Sequence, residues 1–594
     1  MLNRRRFSVL LLSAMSGALS ACRKHSPERT PLATQAAVPT IAPTPVAPSP
    51  TPEPSPTPLP APTPEPTPTS TPLTVRVWIE PGMPKALAGA ARQVLSTIEQ
   101  HGREHDSVVL TTMDADSADL RLTTQPDDGT PSIAVARTPL VLVTSPRVPL
   151  LSVTGDQAKA IMAGTVSNWS EVGSPQSIAL RPVIVGAGTG SANANHLDSY
   201  ETLIQRLEAE PGLAALIPVA DVDFRARTLR IDDIDILTNP EQAESYALHR
   251  QLVLEIAPTA ALPDATFLLP ADPNAPAPVF MTDRGTAMNV TMVGDIILGR
   301  TVNTIMTRLN DFAAPFRLVA DELKHADLTI GNLECSLSDS IAPPSDPYTF
   351  LFITSATAVD GLTLAGIDGV TRANNHSMNF GVGGMHDTSA ALDKAGITHF
   401  GMGDNLAEAR QPGLFEVRGT RLAFLGFDGI TGASYGATDE YAGTSPLVIE
   451  QLVADIATAH QQADLVIPYI HWGIEYTLEP TAEQRAIARR AIDAGADIVV
   501  GSHPHWVQGI EIYRGKPIVY SLGNFVFDQD WSEETKQGLI MHLTFQGSTL
   551  VALRFVPVYI EDFYRPRIVD GAEQVTILDR VWASTDAIKA AGEP

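Results

Sequence analysis

The chain has 594 residues, 44% of them hydrophobic and 18% charged, which is enough for two or more globular domains. Its formal net charge of −26 is the opposite of the basic surface that binds nucleic acid, so we expect no nucleic-acid partner. An acidic polymer would be repelled by the average surface of such a chain and would need a local cationic site, such as a bound metal.

Residues 1–22 have the pattern of an export signal. Three arginines precede an apolar stretch that ends at Ala21 and is shorter than the ~20 apolar residues of a spanning helix. Leu19-Ser-Ala-Cys22 resembles a bacterial lipobox, in which Cys22 is the lipidated residue. We therefore expect an exported protein, lipid-anchored to the outer face of the cytoplasmic membrane or periplasmic. A single transmembrane anchor is the alternative, and Arg4-Arg-Arg-Phe7 also resembles a twin-arginine signal, which leaves the export route open.

Residues 23–73 are predicted to form a disordered stalk. Sixteen of the 42 residues from Pro31 to Pro72 are proline, a composition that cannot form a core and that favours extended polyproline II structure. Such a spacer suits a domain held away from a membrane.

Residues 74–270 are predicted to form an α/β domain, with strands at 74–78 and 140–143 and a helix at 85–100. The stretch Thr154–Gly173 resembles a segment of phosphate-type periplasmic solute-binding proteins. An apolar strand then opens into a loop whose backbone N–H groups can cradle an anion; a glycine-rich turn that binds nothing is the equal alternative. The loop residues are Gly186, Gly188, Thr189, Gly190 and Ser191.

Residues 271–287 are predicted to be a linker, since Pro270–Pro278 is rich in proline. Residues 288–594 then form the C-terminal domain.

Metal-ligand residue types follow apolar runs throughout the first two thirds of this C-terminal domain. In α/β folds the working residues lie at strand ends, so we expect these side chains to converge. The Gly-Asp step at 294–295 predicts a tight turn that ends a strand. Pro504 predicts an extended His503, which would point His503 and His505 to the same side. The runs end in Asp295, Asn332 and Glu334, Asn375 and His376, His471, and His503 and His505.

Carboxylate, amide and imidazole donors without a thiolate suit Mn²⁺, Fe²⁺ or Zn²⁺. In this number they can hold one or two ions, with a bridging water as the nucleophile. Cys335, the only cysteine besides Cys22, is expected to be a small buried hydrophobe.

The same segments resemble the CapA (PgsA-type) family of capsule and poly-γ-glutamate synthesis proteins. The resemblance lies in Asn374-Asn375-His376, His471-Trp-Gly-x-Glu475-Tyr, Gly501-x-His-Pro-His505 and Tyr520-Ser-Leu-Gly-Asn524-Phe. It implies a four-layer α/β/β/α metallophosphatase-like sandwich. It also implies metal ligation by Asp295, Glu334, Asn375, His471, His503 and His505, with His376 as the proton donor facing the substrate.

Other residues are expected to support this centre. Arg300 and Arg372 are possible clamps for a substrate carboxylate or phosphate, with surface ion pairing as the alternative for both. The side chains expected to hold the ligands in place are Asn332, Asn374, Glu475 and Asn524.

Two departures from the expected patterns stand out. Metallophosphatases begin with Asp-x-His, whereas this sequence has Asp295-Ile-Ile297, so one ligand of the first ion is missing. Asn379 stands where CapA-like proteins tend to have Asp, which leaves a supporting hydrogen bond open.

The donor residues favour a metal-dependent hydrolase or transferase. The resemblance implies a role in the synthesis, anchoring or trimming of poly-γ-glutamate or a related envelope polymer, with a capsule-synthase membrane complex as a partner. Two alternatives remain open, namely a non-catalytic anchor that binds polymer or small anions, and an extracytoplasmic metallophosphoesterase acting on a phosphorylated substrate. Ligand types alone do not separate them, because each substrate presents oxyanions to a metal.

Overall fold

The computed structural model describes residues 73–104, 108–112, 115–124, 132–185, 195–257, 279, 286–346 and 349–592, which belong to one compact unit. The export signal at 1–22 with Cys22, the stalk at 23–72, the loop from Gly186 to Ser191 and nearly all of the linker at 271–287 lie outside the described residues. Among the residues that are described, no helix has both the length and the apolar character needed to cross a bilayer.

The N-terminal part is built around a mixed sheet, in the strand order β2-β1-β3-β11-β4-β10-β5, with β9 beside β4 and β6 beside β9. Its strands are β1 (Leu73–Ile79), β2 (Val108–Thr112), β3 (Leu120–Thr123), β4 (Ser132–Thr144), β5 (Ser152–Val153), β6 (Arg181–Pro182), β7 (Ile184–Val185), β8 (His196–Leu197), β9 (Leu213–Pro218), β10 (Arg227–Ile231) and β11 (His249–Ile256). Its helices are α1 (Lys85–Glu104), α2 (Gly155–Met162) and α3 (Tyr200–Ala209). The predicted strand at 74–78 and helix at 85–100 are confirmed, and the predicted strand at 140–143 is the buried end of the longer β4.

The segment from Thr154 to Gly173 folds as a capped helix followed by a tight turn. The Thr154 hydroxyl accepts from the Gln157 backbone N–H, and the Gln157 side chain accepts from the Thr154 N–H, which starts α2. Trp169 is fully buried and donates from its indole nitrogen to the Gly212 carbonyl at 3.2 Å. Packing therefore accounts for the tryptophan of the Asn-Trp pattern, and the asparagine caps the turn by accepting from the Ser170 N–H at 3.0 Å.

The C-terminal part contains the remaining elements. Its strands are β12 (Ala287–Ile296), β13 (Leu328–Leu333), β14 (Ser336–Leu337), β15 (Ile353–Thr354), β16 (Gly369–Thr371), β17 (Thr398–Phe400), β18 (Met402–Gly403), β19 (Gly413–Val417), β20 (Thr420–Asp428), β21 (Gly443–Thr444), β22 (Leu465–His471), β23 (Val499–Ser502), β24 (Ile510–Tyr513), β25 (Lys516–Val519), β26 (Asn524–Val526), β27 (Gln537–Gln546), β28 (Thr549–Glu561) and β29 (Arg565–Ile568). Its helices are α4 (Arg300–Leu309), α5 (Ala320–Lys324), α6 (Val359–Ala365), α7 (Gly381–Ala395), α8 (Leu406–Ala409), α9 (Gly432–Tyr435), α10 (Ile449–Ala459), α11 (Ala482–Asp493) and α12 (Gly571–Ala590).

Apart from the two-stranded pairs β14-β15 and β18-β21, these strands form two sheets that pack face to face. One has the order β17-β16-β13-β12-β27-β28-β29, with β26 beside β12, and the other has the order β19-β20-β22-β23-β25-β24. Alternation along β22 shows why both faces are covered: Ile467 and Tyr469 enter the core between the sheets, whereas Val466 and Ile470 enter the core beneath α10 and α11. Helices α4, α6 and α7 cover the outer face of the first sheet. The predicted α/β/β/α sandwich is confirmed.

Strand register brings the polar ends of the strands together. Asp295 on β12 pairs with Asn332 on β13 and with Asn524 on β26, all in parallel. In the second sheet, His471 on β22 pairs in parallel with Ser502 on β23. Parallel strands end at the same edge of a sheet, so the ligand candidates collect at one edge of each sheet.

The expected tight turn at Gly294-Asp295 is wrong, because β12 continues through both residues to Ile296. The strand instead needs a glycine for a close backbone approach. A Cβ at position 294 would lie 2.0 Å from the Gly523 carbonyl oxygen. That approach lets the Asp295 N–H donate to the same carbonyl at 3.1 Å.

Candidate metal centre

The first donor group lies at the edge where the two sheets meet. Donor atoms of Asp295, Glu334 and His471 all lie within 4.8 Å of one another, and the three side chains are at most 1% exposed. The Asn332 amide donates to Asp295 Oδ1 at 2.8 Å and lies 3.4 Å from Glu334 Oε2. This amide therefore spaces the two carboxylates, which would otherwise repel each other in a buried setting.

Asn375 and His503 join this group around one atom, Nε2 of His471. That nitrogen lies 2.8 Å from the Asn375 side-chain oxygen, 3.1 Å from His503 Nδ1 and 3.5 Å from Glu334 Oε1. Separations of this size are typical of neighbouring ligands around one cation whose ligands lie ~2.0–2.2 Å away. Five of the sequence-predicted ligands, namely Asp295, Glu334, Asn375, His471 and His503, thus lie close together.

A second donor group consists of Glu475, His503 and His505, whose donor atoms also lie within 4.8 Å of one another. Glu475 was expected only to support the ligands, but the structure places its carboxylate among them. His503 lies next to both groups, and because its neutral imidazole has one lone pair, it can ligate an ion in only one of them.

The expectation of an extended His503 is wrong. Its φ is 94°, and that of His505 is 58°, so both residues lie in the left-handed region. Strand β23 ends at Ser502, and the His503 N–H then donates to Asp295 Oδ2 at 3.3 Å. This contact bends the chain inward, so the two imidazoles are brought together by a turn rather than by a strand.

The tautomer of His505 follows from its partner Asn524. The Asn524 amide nitrogen donates to the Thr535 carbonyl at 2.9 Å, which leaves its oxygen facing His505 Nδ1 at 2.8 Å. An amide oxygen only accepts, so Nδ1 of His505 carries the hydrogen and Nε2 keeps its lone pair. Metal-bound histidines are held in this way.

The electrostatics of the first group favour a bound cation. Oε1 of Glu334 is buried and has no hydrogen-bond partner among the described residues. Burial, followed by the charges of Asp295 and Glu475, raises the pKa of Glu334 well above its ordinary value. Burial also lowers the pKa of His503 to about 3 and that of His471 well below its usual range. A divalent cation binds neutral imidazoles and would satisfy the carboxylate oxygen of Glu334 that lacks a partner among the described residues.

His376 lies beside this group with its tautomer fixed. Its Nδ1 is 2.9 Å from the Asn379 side-chain oxygen, which also accepts from the Phe352 backbone N–H at 3.1 Å. The hydrogen is therefore on Nδ1, and Nε2, 3.9 Å from Glu334 Oε1, presents a lone pair. Burial lowers the pKa of His376 to about 4, so at neutral pH it accepts a proton at Nε2 before it can give one.

The two arginines lie in different settings. Arg300 pairs with Asp528 and lies over the rings of Phe352 and Phe527, next to His376 and His505. The clamp role expected for Arg372 is wrong, because its guanidinium is buried beneath α7. It donates there to the Ser389 hydroxyl at 2.7 Å and to the Met385 carbonyl at 3.1 Å.

The remaining residues singled out by the sequence also have defined places. Asn374 donates to the Asn332 side-chain oxygen and to the Leu333 carbonyl, which ties the loop after β16 to β13. Ile297 and Cys335 are buried in the apolar core under the helices, so neither faces the donor groups. Ile297, which stands where the Asp-x-His pattern has its histidine, therefore supplies no ligand.

Some contributors at the centre had not been identified from the sequence. The Ser502 hydroxyl contacts His471 Nδ1 at 2.9 Å. Asp428 ends β20 and pairs in register with His471, while its carboxylate accepts from the backbone and hydroxyl of Thr431. Asp428 follows an apolar run, the pattern used to find the other strand ends, so that pattern would have found it. Trp531, 59% exposed, packs edge-on against Tyr476, and the Tyr476 ring stacks on His505.

The donor set fits one or two divalent cations of the Mn²⁺, Fe²⁺ or Zn²⁺ kind, because it combines carboxylate oxygen, amide oxygen and neutral imidazole. The unsatisfied Glu334 oxygen marks the point where a cation is needed most.

Comparison with known proteins gives a family match over this part of the chain. The family model described as bacterial capsule synthesis protein PGA_cap matches residues 289–529. The capsule biosynthesis protein CapA of Bacillus anthracis is 35% identical over 283 residues, covering 46% of this chain and 68% of that protein. The PGA biosynthesis protein CapA of Bacillus subtilis (strain 168) is 32% identical over 306 residues, covering 51% and 80%. Among solved structures, a 5′-nucleotidase precursor from Thermus thermophilus matches with a TM-score of 0.32 at 12% identity, covering 51% of this chain and 59% of that one.

Proposed function

Because the chain belongs to the PGA_cap family of bacterial capsule synthesis proteins, we propose that it acts in the synthesis, anchoring or trimming of poly-γ-glutamate or a related anionic envelope polymer. We further propose that it does so by metal-dependent hydrolysis or transfer at the centre formed by the two donor groups.

The observation that carries this proposal is the convergence of donors on His471 Nε2, together with the buried Glu334 oxygen that has no partner among the described residues. A buried carboxylate without a compensating partner costs folding free energy, and a bound cation would remove that cost. Asn375 and His376 are only partly buried, so a substrate can reach the centre from their side.

A divalent cation held there would supply a Lewis acid for a carbonyl or phosphoryl oxygen of the substrate. The chain's own residues provide the rest. His376 offers a lone pair at Nε2, fixed by Asn379, and can take a proton from an attacking group and return it to a leaving group. Arg300 pairs with Asp528 and contacts the Phe352 ring that packs on His376, and we assign it to binding an acidic group of the polymer.

We also propose that the protein lies outside the cytoplasmic membrane, held by a lipid on Cys22 and by the proline-rich stalk. The support is the signal and lipobox pattern in the sequence. Replacing Cys22 by Ser should release the protein from the membrane fraction without changing its metal content. Retention in the membrane after this change would remove the lipid anchor from the proposal.

The test of the activity uses the purified full-length protein loaded with Mn²⁺ and poly-γ-glutamate of defined length, with a His471→Ala variant as control. We expect the wild type, and not the variant, to change the length of the polymer. Hydrolysis of p-nitrophenyl phosphate alone would indicate a phosphoesterase, and polymer binding without turnover would indicate an anchor. Fewer than ~0.2 metal equivalents after loading would contradict the metal centre itself.

A further inference from the structure

We propose that Glu475 is a metal ligand and that it holds, with His503 and His505, a second divalent cation next to the first donor group. The inference rests on the proposed function, because it assumes that the first group binds a cation. It goes further by assigning the second ion to residues on the loops after β22 and β23.

The first reason is distance. Donor atoms of Glu475, His503 and His505 lie within 4.8 Å of one another. Two ligands that each lie ~2.0–2.2 Å from one cation are at most about 4.4 Å apart. The spacing of the three donor atoms is therefore close to that of ligands around one ion.

The second reason is the protonation of His505. Asn524 fixes its hydrogen on Nδ1, so the lone pair lies on Nε2. A histidine buried for packing alone would need a donor for that nitrogen, whereas a metal ligand needs the lone pair. His505 is 3% exposed, so bulk water does not easily satisfy it.

The third reason is that the loop of Glu475 is tied to the histidine loop. The Tyr476 N–H donates to the Pro504 carbonyl at 2.8 Å, and the Tyr476 ring stacks on His505 with centroids 6.0 Å apart. Glu475 is thus held beside the two imidazoles through its neighbour in the chain. Position 297 faces the apolar core, and Glu475 supplies a ligand from the opposite sheet in its place.

The fourth reason is charge. Asp295, Glu334 and Glu475 bring three carboxylates to the two groups, while the cation nearby, Arg300, is paired with Asp528. One divalent ion leaves an excess of negative charge at these carboxylates, and a second reverses the sign. In a chain of net charge −26, an anionic polymer needs that positive site to approach.

The test measures stoichiometry rather than activity. Full-length protein is stripped with a chelator and titrated with Mn²⁺, the bound metal is counted by mass spectrometry, and the electron paramagnetic resonance spectrum reports whether two Mn²⁺ ions are coupled. We expect the wild type to bind two ions and to show coupling. Glu475→Gln should retain one ion, lose the coupling and weaken the second binding step at least ~10-fold.

Glu479→Gln is the matched control, because it removes the same charge from the same loop at an exposed position. It should behave as the wild type does. Melting temperatures of the metal-free variants show whether folding is intact, and Glu475→Ala provides a second variant if Glu475→Gln is unstable.

The possible outcomes separate the inference from the proposed function. Two tightly bound ions in Glu475→Gln, or loss of both, would overturn the role of Glu475. A wild type that binds a single ion, with Glu475→Gln identical to it, would overturn the second site and leave the first intact. A wild type that binds none would overturn the proposed metal centre as well.

Discussion

Asn524 lies beside Asp295 in the first sheet, and its side-chain oxygen reaches His505 Nδ1 at 2.8 Å. One residue thus links a strand that carries a carboxylate ligand to the loop that carries the imidazoles. The link decides which nitrogen of His505 is available to a metal, since the amide oxygen accepts the only ring hydrogen of the neutral imidazole.

Replacing Asn524 by Leu should therefore weaken Mn²⁺ binding by about 10–100-fold, because His505 loses the acceptor that fixes its tautomer and orientation. Asn524→Asp keeps an acceptor at this position and, like the Leu variant, loses the donor to the Thr535 carbonyl. The Asp variant should stay within a few-fold of the wild type in a calorimetric titration. Equal losses in both variants would assign the effect to the Thr535 contact instead.

Replacing Glu334 by Gln should have opposite effects on folding and on metal binding. Because the pKa of Glu334 is raised in the folded state, the wild-type protein loses stability as the pH rises from the ordinary carboxyl pKa of 4.5 toward the pKa of Glu334 in the folded protein. The metal-free variant should therefore be more stable than the wild type at pH 8, by on the order of 1 kcal/mol, and Mn²⁺ should stabilise it less than it stabilises the wild type, because the first donor group has lost a ligand. Urea unfolding with and without Mn²⁺ measures both effects. A less stable metal-free variant would show that the carboxylate is satisfied without a cation.

The metal-free protein should lose stability as pH falls below about 6.5. Burial lowers the pKa of His376 to about 4 and that of His503 to about 3, so the unfolded chain takes up protons that the folded chain does not. The loss continues down to those values, at up to ~1.4 kcal/mol per pH unit for each histidine. Measurements in the Glu334→Gln background avoid the opposing effect of that carboxyl.

Adding His503→Asn to that background should flatten the dependence between pH 6.5 and 4, because one of the buried histidines with a lowered pKa is removed. His386→Asn, at an exposed position on α7, should follow the parent slope. A slope that does not change in the His503 variant would show that His503 is protonated equally in the folded and unfolded chains.

Replacing Arg300 by Ala should weaken binding of poly-γ-glutamate by on the order of 10-fold, the usual effect of losing a hydrogen bond between charged groups. The metal content should not change, since Arg300 contacts Asp528 and the two phenylalanines rather than the donor groups. Arg300→Lys keeps the charge and should show a smaller loss. Polymer affinity equal to that of the wild type in both variants would leave Arg300 with the Asp528 pair as its only role.

Replacing Arg372 by Met should instead lower the stability, by about 2 kcal/mol, because Ser389 and the Met385 carbonyl lose a buried donor. The metal content and polymer affinity of the folded variant should stay at wild-type values. If the variant kept its melting temperature and lost only polymer affinity, Arg372 would belong to the polymer-binding site after all.

The family resemblance in the sequence implied the sandwich, and the polar residues that follow apolar runs indicated which side chains would lie together. In β22 an unbroken apolar run ends in His471, so the short run and the polar residue after it suggest a buried strand and its end, whereas the alternation of its side chains between two cores is seen only in the structure. Register then places Asp295, Asn332 and Asn524 side by side, which follows from parallel pairing of strands that end in polar residues.

Local patterns were misleading where the tertiary structure overrides them. The Gly294-Asp295 step resembles a turn, but the glycine makes room for the backbone of Gly523 from a segment more than two hundred residues away. Arg372 precedes the Asn-Asn-His motif, yet its side chain turns back under α7. Neither contact leaves a signal in the neighbouring sequence.

The sequence by itself determined which chemical groups stand at the strand ends, because side-chain alternation and chain order are local properties. Only the tertiary structure decided how those groups divide into two clusters and which nitrogen of His376 and of His505 is free. Those features depend on left-handed turns at His503, His505 and Tyr476 and on the hydrogen bonds of Asn379 and Asn524. Such turns are stable only when contacts from distant strands hold them, and in this chain those contacts come from both sheets.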